Sequence, residues 1–390
     1  MSRLADLIAE LCPDGVEYKP IGSFAQCVAG ATPNSKDPSL WDGNIPWMSS
    51  GEVNKRIIRS TDRCITQRGF DSCSTKMIPA GAVVVALAGQ GKTRGTVART
   101  RIELCTNQSL CAIISDANVD SDFLFHYLVS QYNNLRAVSS GDGTRGGLNL
   151  KMIREYRVPV PPVEIQREIV RILDQFTTLE AELEAELEVR RAQYEHYRTH
   201  LLSYESLAAR GQVRWCALGD VVRICNGRDY KTLSAGDVPV YGSGGVMTYV
   251  SDYLSVGPTV LIPRKGSLDN IYFVEGQFWT VDTIFYTEIG DALHPKFFFH
   301  YMKQMKLSRM NEAAGVPSMT QRKLSSIRIP IPSYEEQRRI ADLLDRFDAL
   351  VNDISSGLPA EIAARRAQYE HYRDRLLSFP EKAASGDDAS

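Results

Sequence analysis

Residues 190–203 read RRAQYEHYRTHLLS and residues 365–378 read RRAQYEHYRDRLLS, so twelve of fourteen positions recur. A phrase this long does not recur by chance, and an internal repeat constrains the architecture before any local pattern does. The repeat reaches upstream: residues 159–179 match residues 330–350 at ten of twenty-one positions, among them Pro159/Pro330, Gln166/Gln337, Arg167/Arg338, Leu173/Leu344, Asp174/Asp345 and Phe176/Phe347. The offset grows from 171 to 175 between these blocks, so the second copy carries four extra residues. Before each block lies a larger region that aligns only faintly, through His126-Tyr127 with His300-Tyr301 and Ala82–Leu87 with Pro258–Pro263. The chain therefore reads as domain, helix, domain, helix. A phrase kept twice points to one kind of partner held twice, and two diverged domains point to two different ligands.

In the first helical block, apolar residues fall at Ile165, Ile169, Ile172, Phe176, Leu179, Leu183 and Leu187, and the seam continues through Tyr194, Tyr197 and Leu201. Steps of three and four make a coiled-coil stripe. Pro161 and Pro162 mark its start, because proline is tolerated only in a helix's first turn. A helix of this length cannot hide its stripe alone, and the second copy is the obvious antiparallel partner. Glu180–Leu183 and Glu184–Leu187 both spell EAEL. Each such unit adds roughly 6 Å of helix, about the rise of two base pairs. The second copy has Ser355-Ser356-Gly357-Leu358-Pro359 at this point. Gly followed by Pro predicts a break that accommodates the extra residues. On the repeated phrase, Arg190, Gln193, Tyr194, Tyr197 and Arg198, with Arg365, Gln368, Tyr369, Tyr372 and Arg373, are candidates for a duplicated docking face, since Tyr and Arg are enriched at interface hot spots.

A chain of 390 residues with 43% hydrophobic and 24% charged residues fits an ordinary globular protein of two or three domains. No apolar run reaches a membrane span. The start, MSRLADLIAELCPDG, carries acids and reads as an amphipathic helix and not a signal peptide. The eight cysteines form no C-x-x-C pair, which suits a reducing cytoplasm and argues against zinc ribbons and disulfide frameworks. His196 and His371, one in each repeated phrase, are poor evidence for a metal site. The net charge of −2 hides clustering: residues 54–101 hold ten Lys/Arg against two acids, and residues 292–328 hold seven against Glu312. Residues 164–190 hold three Arg against eight acids. Clustered base in a neutral chain fits a nucleic-acid surface.

Each large region begins with a short strand, Val16–Gly22 or Val213–Gly219, passes through a Pro/Gly segment and β-branched runs (Ala82–Leu87 and Cys111–Ser115; Thr259–Pro263 and Ile271–Val274), and ends in a helix around His126 or His300. The fold class is α+β: two mixed α/β domains, each followed by a long helix, the two helices pairing as an antiparallel coiled coil. The boundaries are 1–158, 159–206, 207–329 and 330–380, with a disordered tail at 381–390. Ala86–Thr93 (ALAGQGKT) resembles a phosphate-binding loop, but that motif needs a helix next, and the residues that follow are glycine-broken and β-branched. A basic hairpin loop is the better reading. Lys92, Arg94, Arg99 and Arg145 in the first domain, and Arg264, Lys265, Arg322 and Lys323 in the second, are candidates to face DNA. No catalytic constellation, cofactor loop or metal motif stands out.

The duplicated phrases Arg190–Arg198 and Arg365–Arg373, the starts Pro159–Arg167 and Pro330–Arg338, the Ser355–Glu361 break and the EAEL tetrapeptides together resemble the specificity subunit of type I restriction-modification enzymes, in particular the type IC subclass. The resemblance implies a non-catalytic DNA-binding protein with two target-recognition domains, each reading one half of a bipartite, asymmetric site, and helices that set the unread spacer. It implies two docked modification subunits that methylate adenine N6, and restriction subunits beyond them. S-adenosylmethionine, ATP and Mg would belong to those partners, with no cofactor, metal or catalytic residue in this chain, and the location would be cytoplasmic. Two alternatives stay open: a coiled-coil adaptor that binds no DNA, and a P-loop NTPase at Ala86–Thr93.

Overall fold

The computed structural model describes residues 2–89, 93–138, 147–311, 315–353 and 355–383. The chain divides into two compact units, Met1–Ala181 with Ala364–Ser390, and Glu182–Ala363. In the first unit a five-stranded sheet runs in the order Ala25–Ala29, Leu110–Ser115, Val83–Ala86, Val97–Thr100, Ile57–Ile58. A smaller sheet orders Arg63–Ile65, Trp41–Met48 and Cys105–Thr106, the last two strands running parallel. In the second unit the corresponding order is Val222–Asn226, Ile284–Ile289, Thr259–Pro263, Tyr272–Val274. Its smaller sheet orders Gly245–Val250, Val238–Gly242, Gln277–Thr280 and Ser255–Val256, again with one parallel pair. The duplication seen faintly in the sequence is thus a duplication of sheet topology.

Val83 and Val85 face one core of the first unit while Val84 and Ala86 face another, which is why this central strand is apolar at every position. The short strand expected at Val16–Gly22 is Tyr18–Pro20, antiparallel to Arg157–Pro159. The one expected at Val213–Gly219 is Arg214–Ala217, antiparallel to Arg328–Ile331. Each domain is therefore clasped where its chain enters and leaves. The segment after Ala86 turns back as a hairpin: Gly95, at φ +81°, donates its N–H to Ala86 O, and Val85 pairs with Val97. A strand follows where a nucleotide-binding loop requires a helix.

The helices α1 (Ser121–Ser130) and α3 (Pro295–Met305) pack on these sheets, and α2 (Val163–Leu201), α4 (Tyr334–Asn352) and α5 (Leu358–Leu376) add apolar residues to the same cores. α2 is a single helix of 39 residues. The second copy is broken between α4 and α5, as the Gly-Pro pair requires. A Cβ on Gly357 would lie 2.5 Å from Ala349 O and 2.7 Å from Leu350 O, so only glycine fits against the carbonyls that end α4. The seam is read with two corrections, because Leu179 and Tyr197 are exposed. The 381–390 tail needs another correction at its start. Glu381 bridges Val16, Lys382 N–H donates to Val16 O at 2.9 Å, and Arg157 pairs with Glu381 at 2.6 Å. Residues 384–390 lie outside the described residues.

Candidate functional site

Both units hold their long helix to the sheet domain by the same device. Gln166, at the start of α2 and fully buried, donates through Nε2 to Pro161 O (2.7 Å) and Asn118 O (3.0 Å), and its Oε1 accepts from Asp120 N–H (2.8 Å). Gln337 in α4 repeats this, donating to Pro332 O and Ala292 O at 3.0 Å each and accepting from His294 N–H at 2.7 Å. Two turns on, Asp174 meets His126 Nε2 at 3.0 Å, and Asp345 meets His300 Nε2 at 2.8 Å. Both imidazoles are fully buried.

The cation completing each cluster comes from opposite sides. In the first unit Arg99 reaches out of the sheet to Asp174 (2.9 Å) and to Asp122 of α1 (3.1 Å), and lies over the Phe125 ring. In the second unit Lys296 comes down from α3 to Asp345 (2.6 Å) and lies over Phe273. Arg99 pairs with Val83 and Phe273 with Val260, so an aromatic occupies the sheet position from which arginine reaches in the other unit. Burial pushes the Asp174 carboxyl up, but the bonds from His126 and Arg99 outweigh it and hold the group at about 2. Asp345 is likewise held low, with His300 and Lys296 overriding burial. Burial lowers the His126 pKa against the opposing pull of Asp174.

The repeated phrase is exchanged between the copies. Within the first unit, Tyr372 from the second phrase stacks on Phe176 of α2 (5.5 Å, 25°), Arg366 pairs with Glu180, and Tyr369 Oη lies 3.3 Å from His126 Nδ1. Within the second, Tyr197 from the first phrase stacks on Phe347 of α4 (5.4 Å, 26°), and Tyr194 lies beside Asp348, its pKa raised by burial and then by that carboxylate. Numbering falls on one partner as it rises on the other, so each unit contains an antiparallel helix pair. This corrects part of the expected docking face: Tyr194, Arg198 and Tyr369 are buried, packed inside their units. Tyr197, Arg365 and Gln368 are exposed, and Arg190, Gln193, Tyr372 and Arg373 are half-buried. One contact is duplicated between the phrases, Arg190 to Gln193 at 3.1 Å and Arg365 to Gln368 at 3.2 Å.

Of the basic candidates, Arg99 is spent in the buried cluster, 4% exposed, and Arg94 is 8% exposed. Arg99 points to Asp122 and Phe125 of α1, and both side chains are buried in the unit. Lys92 and Arg145 lie outside the described residues. In the second unit the structure brings the candidates together: Lys265 bridges Ser318 and Met319 N–H donates to Arg264 O, setting this loop against the segment that leads to Arg322 and Lys323. Lys265 and Arg322 are exposed, while Arg264 is half-buried and Lys323 donates to Met310 O at 2.6 Å. The Gln, Asp and His of the latch already stood out as matches between the copies. What the sequence lacked was any sign that they meet one another.

Among the described residues no helix is long and apolar enough to cross a membrane. Residues 13–189 and 213–364 each match the family model for the type I restriction modification DNA specificity domain. The chain is 32% identical over 301 residues to the type I restriction enzyme EcoR124I/EcoR124II specificity subunit of Escherichia coli, covering 67% of this chain and 72% of that protein. It is 28% identical over 389 residues to the EcoprrI specificity subunit of Escherichia coli, covering 91% and 93%. In fold it is similar to the crystal structure of a type I restriction-modification S subunit from M. genitalium, at TM-score 0.60 and 18% identity, over 93% of this chain and 96% of that one.

Proposed function

The chain belongs to the type I restriction modification DNA specificity family, and from that premise we propose how its two units divide the work. The protein is a non-catalytic, DNA-binding specificity subunit that acts with the other subunits of a type I restriction-modification complex. In the proposed reading each unit contacts one half of a bipartite, asymmetric DNA site, and the helices set the length of the unread spacer. Two modification subunits dock, one against each phrase-bearing helix pair, through the half-buried Arg190/Gln193 pair and the exposed Arg365/Gln368 pair. Restriction subunits join that complex. S-adenosylmethionine, ATP and Mg serve those partners, and the target adenine is flipped into a modification subunit's pocket. Arg264, Lys265, Arg322 and Lys323 contact the backbone of one half-site, and Lys92 and Arg145 that of the other. Arg94 and Arg99 drop out of this set because they are buried.

One observation carries the reading. The two units keep the same order in their shared strands and the same Gln/Asp/His latch, yet their exposed loops differ in charge and composition. A common frame with two different surfaces suits two different half-sites. The test is to co-express the chain with its cognate modification subunit and map methylated adenines across a genome. A bipartite motif with a fixed gap is expected. A single continuous or palindromic motif, or no methylation from an assembled complex, overturns the reading.

A further inference from the structure

The smaller sheet of the first unit presents an arginine on a built platform. Arg63 lies on the edge strand Arg63–Ile65, directly opposite Trp47. Its guanidinium carbon sits 3.6 Å from the centroid of the Trp41 ring. Trp41 is itself buried, its Nε1 donating to Asn34 O at 3.1 Å, and it meets Trp47 edge-on at 5.0 Å. Trp47 is anchored in turn by its Nε1 donating to Ala31 O at 3.0 Å. The strand carrying both indoles bulges between Trp41 and Ile45, with Asp42 at φ +60°. Gly43 packs so closely that a Cβ there would lie 2.5 Å from Ile65 O. Bulges of this kind re-aim side chains and recur beside functional sites.

Arg63 is exposed, and among the described residues its guanidinium makes no ion pair or hydrogen bond. Other cations of this domain differ: Lys55 is held between Glu52 and Asp62, and Arg101 is paired with Asp122. Stacking fixes the plane of the guanidinium while leaving its donors unused, which lowers the entropy lost when a planar acceptor pair is bound. Two parallel N–H donors in a fixed plane match O6 and N7 of guanine in the major groove. The edge strand in the same topological place in the second unit, Gly245–Val250, exposes Val246, Met247 and Tyr249 instead. The units are alike at the latch and unlike at this edge.

We propose that Arg63, held flat on Trp41, is a specificity-determining residue that reads a guanine in the half-site contacted by the first unit. The proposal rests on the DNA-specificity reading above. The experiment compares wild type, Arg63→Ala and Arg63→Lys, each co-expressed with the modification subunit, by genome-wide methylation mapping and by DNA binding across a salt series. The side chain is exposed, so unfolding midpoints should stay level and confirm intact folding. Both variants should relax one G·C position of one half-site, with a roughly 10- to 100-fold loss of preference there. The other half-site and the gap should stay unchanged. Lysine should not rescue, because it lacks the planar fork. An unchanged motif overturns the proposal. So does a uniform loss of affinity for all DNA with a shallower salt dependence, which would mark a phosphate contact. If wild type gives no bipartite motif, the division of labour fails, and the proposal with it.

Discussion

The side chains at each latch decide how a unit answers acid. His126 has its pKa lowered by burial, so the native unit resists a proton that the unfolded chain accepts near pH 6.5. The unit's stability should therefore fall as pH drops below about 6.5. Asp174 is depressed to about 2, so its contribution is present above the unfolded carboxylate pKa near 4 and is lost as pH falls through about 2. Both effects have the same sign. Urea-unfolding midpoints across pH 7 to 3 should show a decline beginning near pH 6.5, and His126→Gln should remove that early part. Midpoints that stay flat between pH 7 and 5 would contradict it. Gln166 binds three backbone groups that nothing else can satisfy if it is shortened. Gln166→Ala should cost roughly 2–3 kcal/mol in the first unit, and Gln337→Ala a similar amount in the second, by chemical denaturation.

Among the elements, the two helical copies differ where their sequences do. α2 runs unbroken through Glu180–Leu187, while the matching stretch stops at Asn352 and restarts at Leu358. Ser355 N–H donates to the Asp353 carboxylate at 2.7 Å, which fixes the turn before Gly357. EAEL repeated twice is phase-tolerant, since four residues are close to one helical turn. Deleting one EAEL unit, which leaves the same sequence whichever copy is removed, should shorten the unread gap of the DNA site by about two base pairs. Both half-sites should stay the same. Methylation mapping of the deletion variant checks this, and an altered half-site would contradict the ruler.

Across the whole molecule, the first unit is not a continuous piece of chain, and the second, though continuous, begins inside a helix. The first takes residues 364–390 from the far end, and the second starts at Glu182 and so includes the C-terminal half of α2. The Tyr of each phrase stacks on the Phe of the other copy's helix. A substitution late in the chain should then be felt early in it. Tyr369 is 5% exposed against His126, and Tyr369→Ala should destabilise the first unit by roughly 3–5 kcal/mol. Hydrogen exchange should quicken in peptides from α1 and the Val83–Ala86 strand. Peptides from α3 should be spared, and equal quickening in both units would contradict the exchange.

Sequence by itself determined a great deal. The repeated phrase gave the duplication, the three-four spacing from Ile165 to Leu187 gave the helix, the Gly357-Leu358-Pro359 run gave its break, and the glycine-broken, β-branched run after Thr93 argued against a nucleotide loop. These are local properties, set by backbone sterics and by periodicity along one element. Which side chains meet was decided only in three dimensions. Arg94 and Arg99 looked like DNA contacts because charge in a sequence carries no burial. Their fate depended on Asp174, 75 residues away from Arg99, and on the fold of a hairpin. Tyr194, Arg198 and Tyr369 looked like a docking face because an exposed tyrosine and a buried one are written with the same letter. Only the exchange of phrases between copies, a long-range packing event driven by hiding two apolar stripes at once, put them inside.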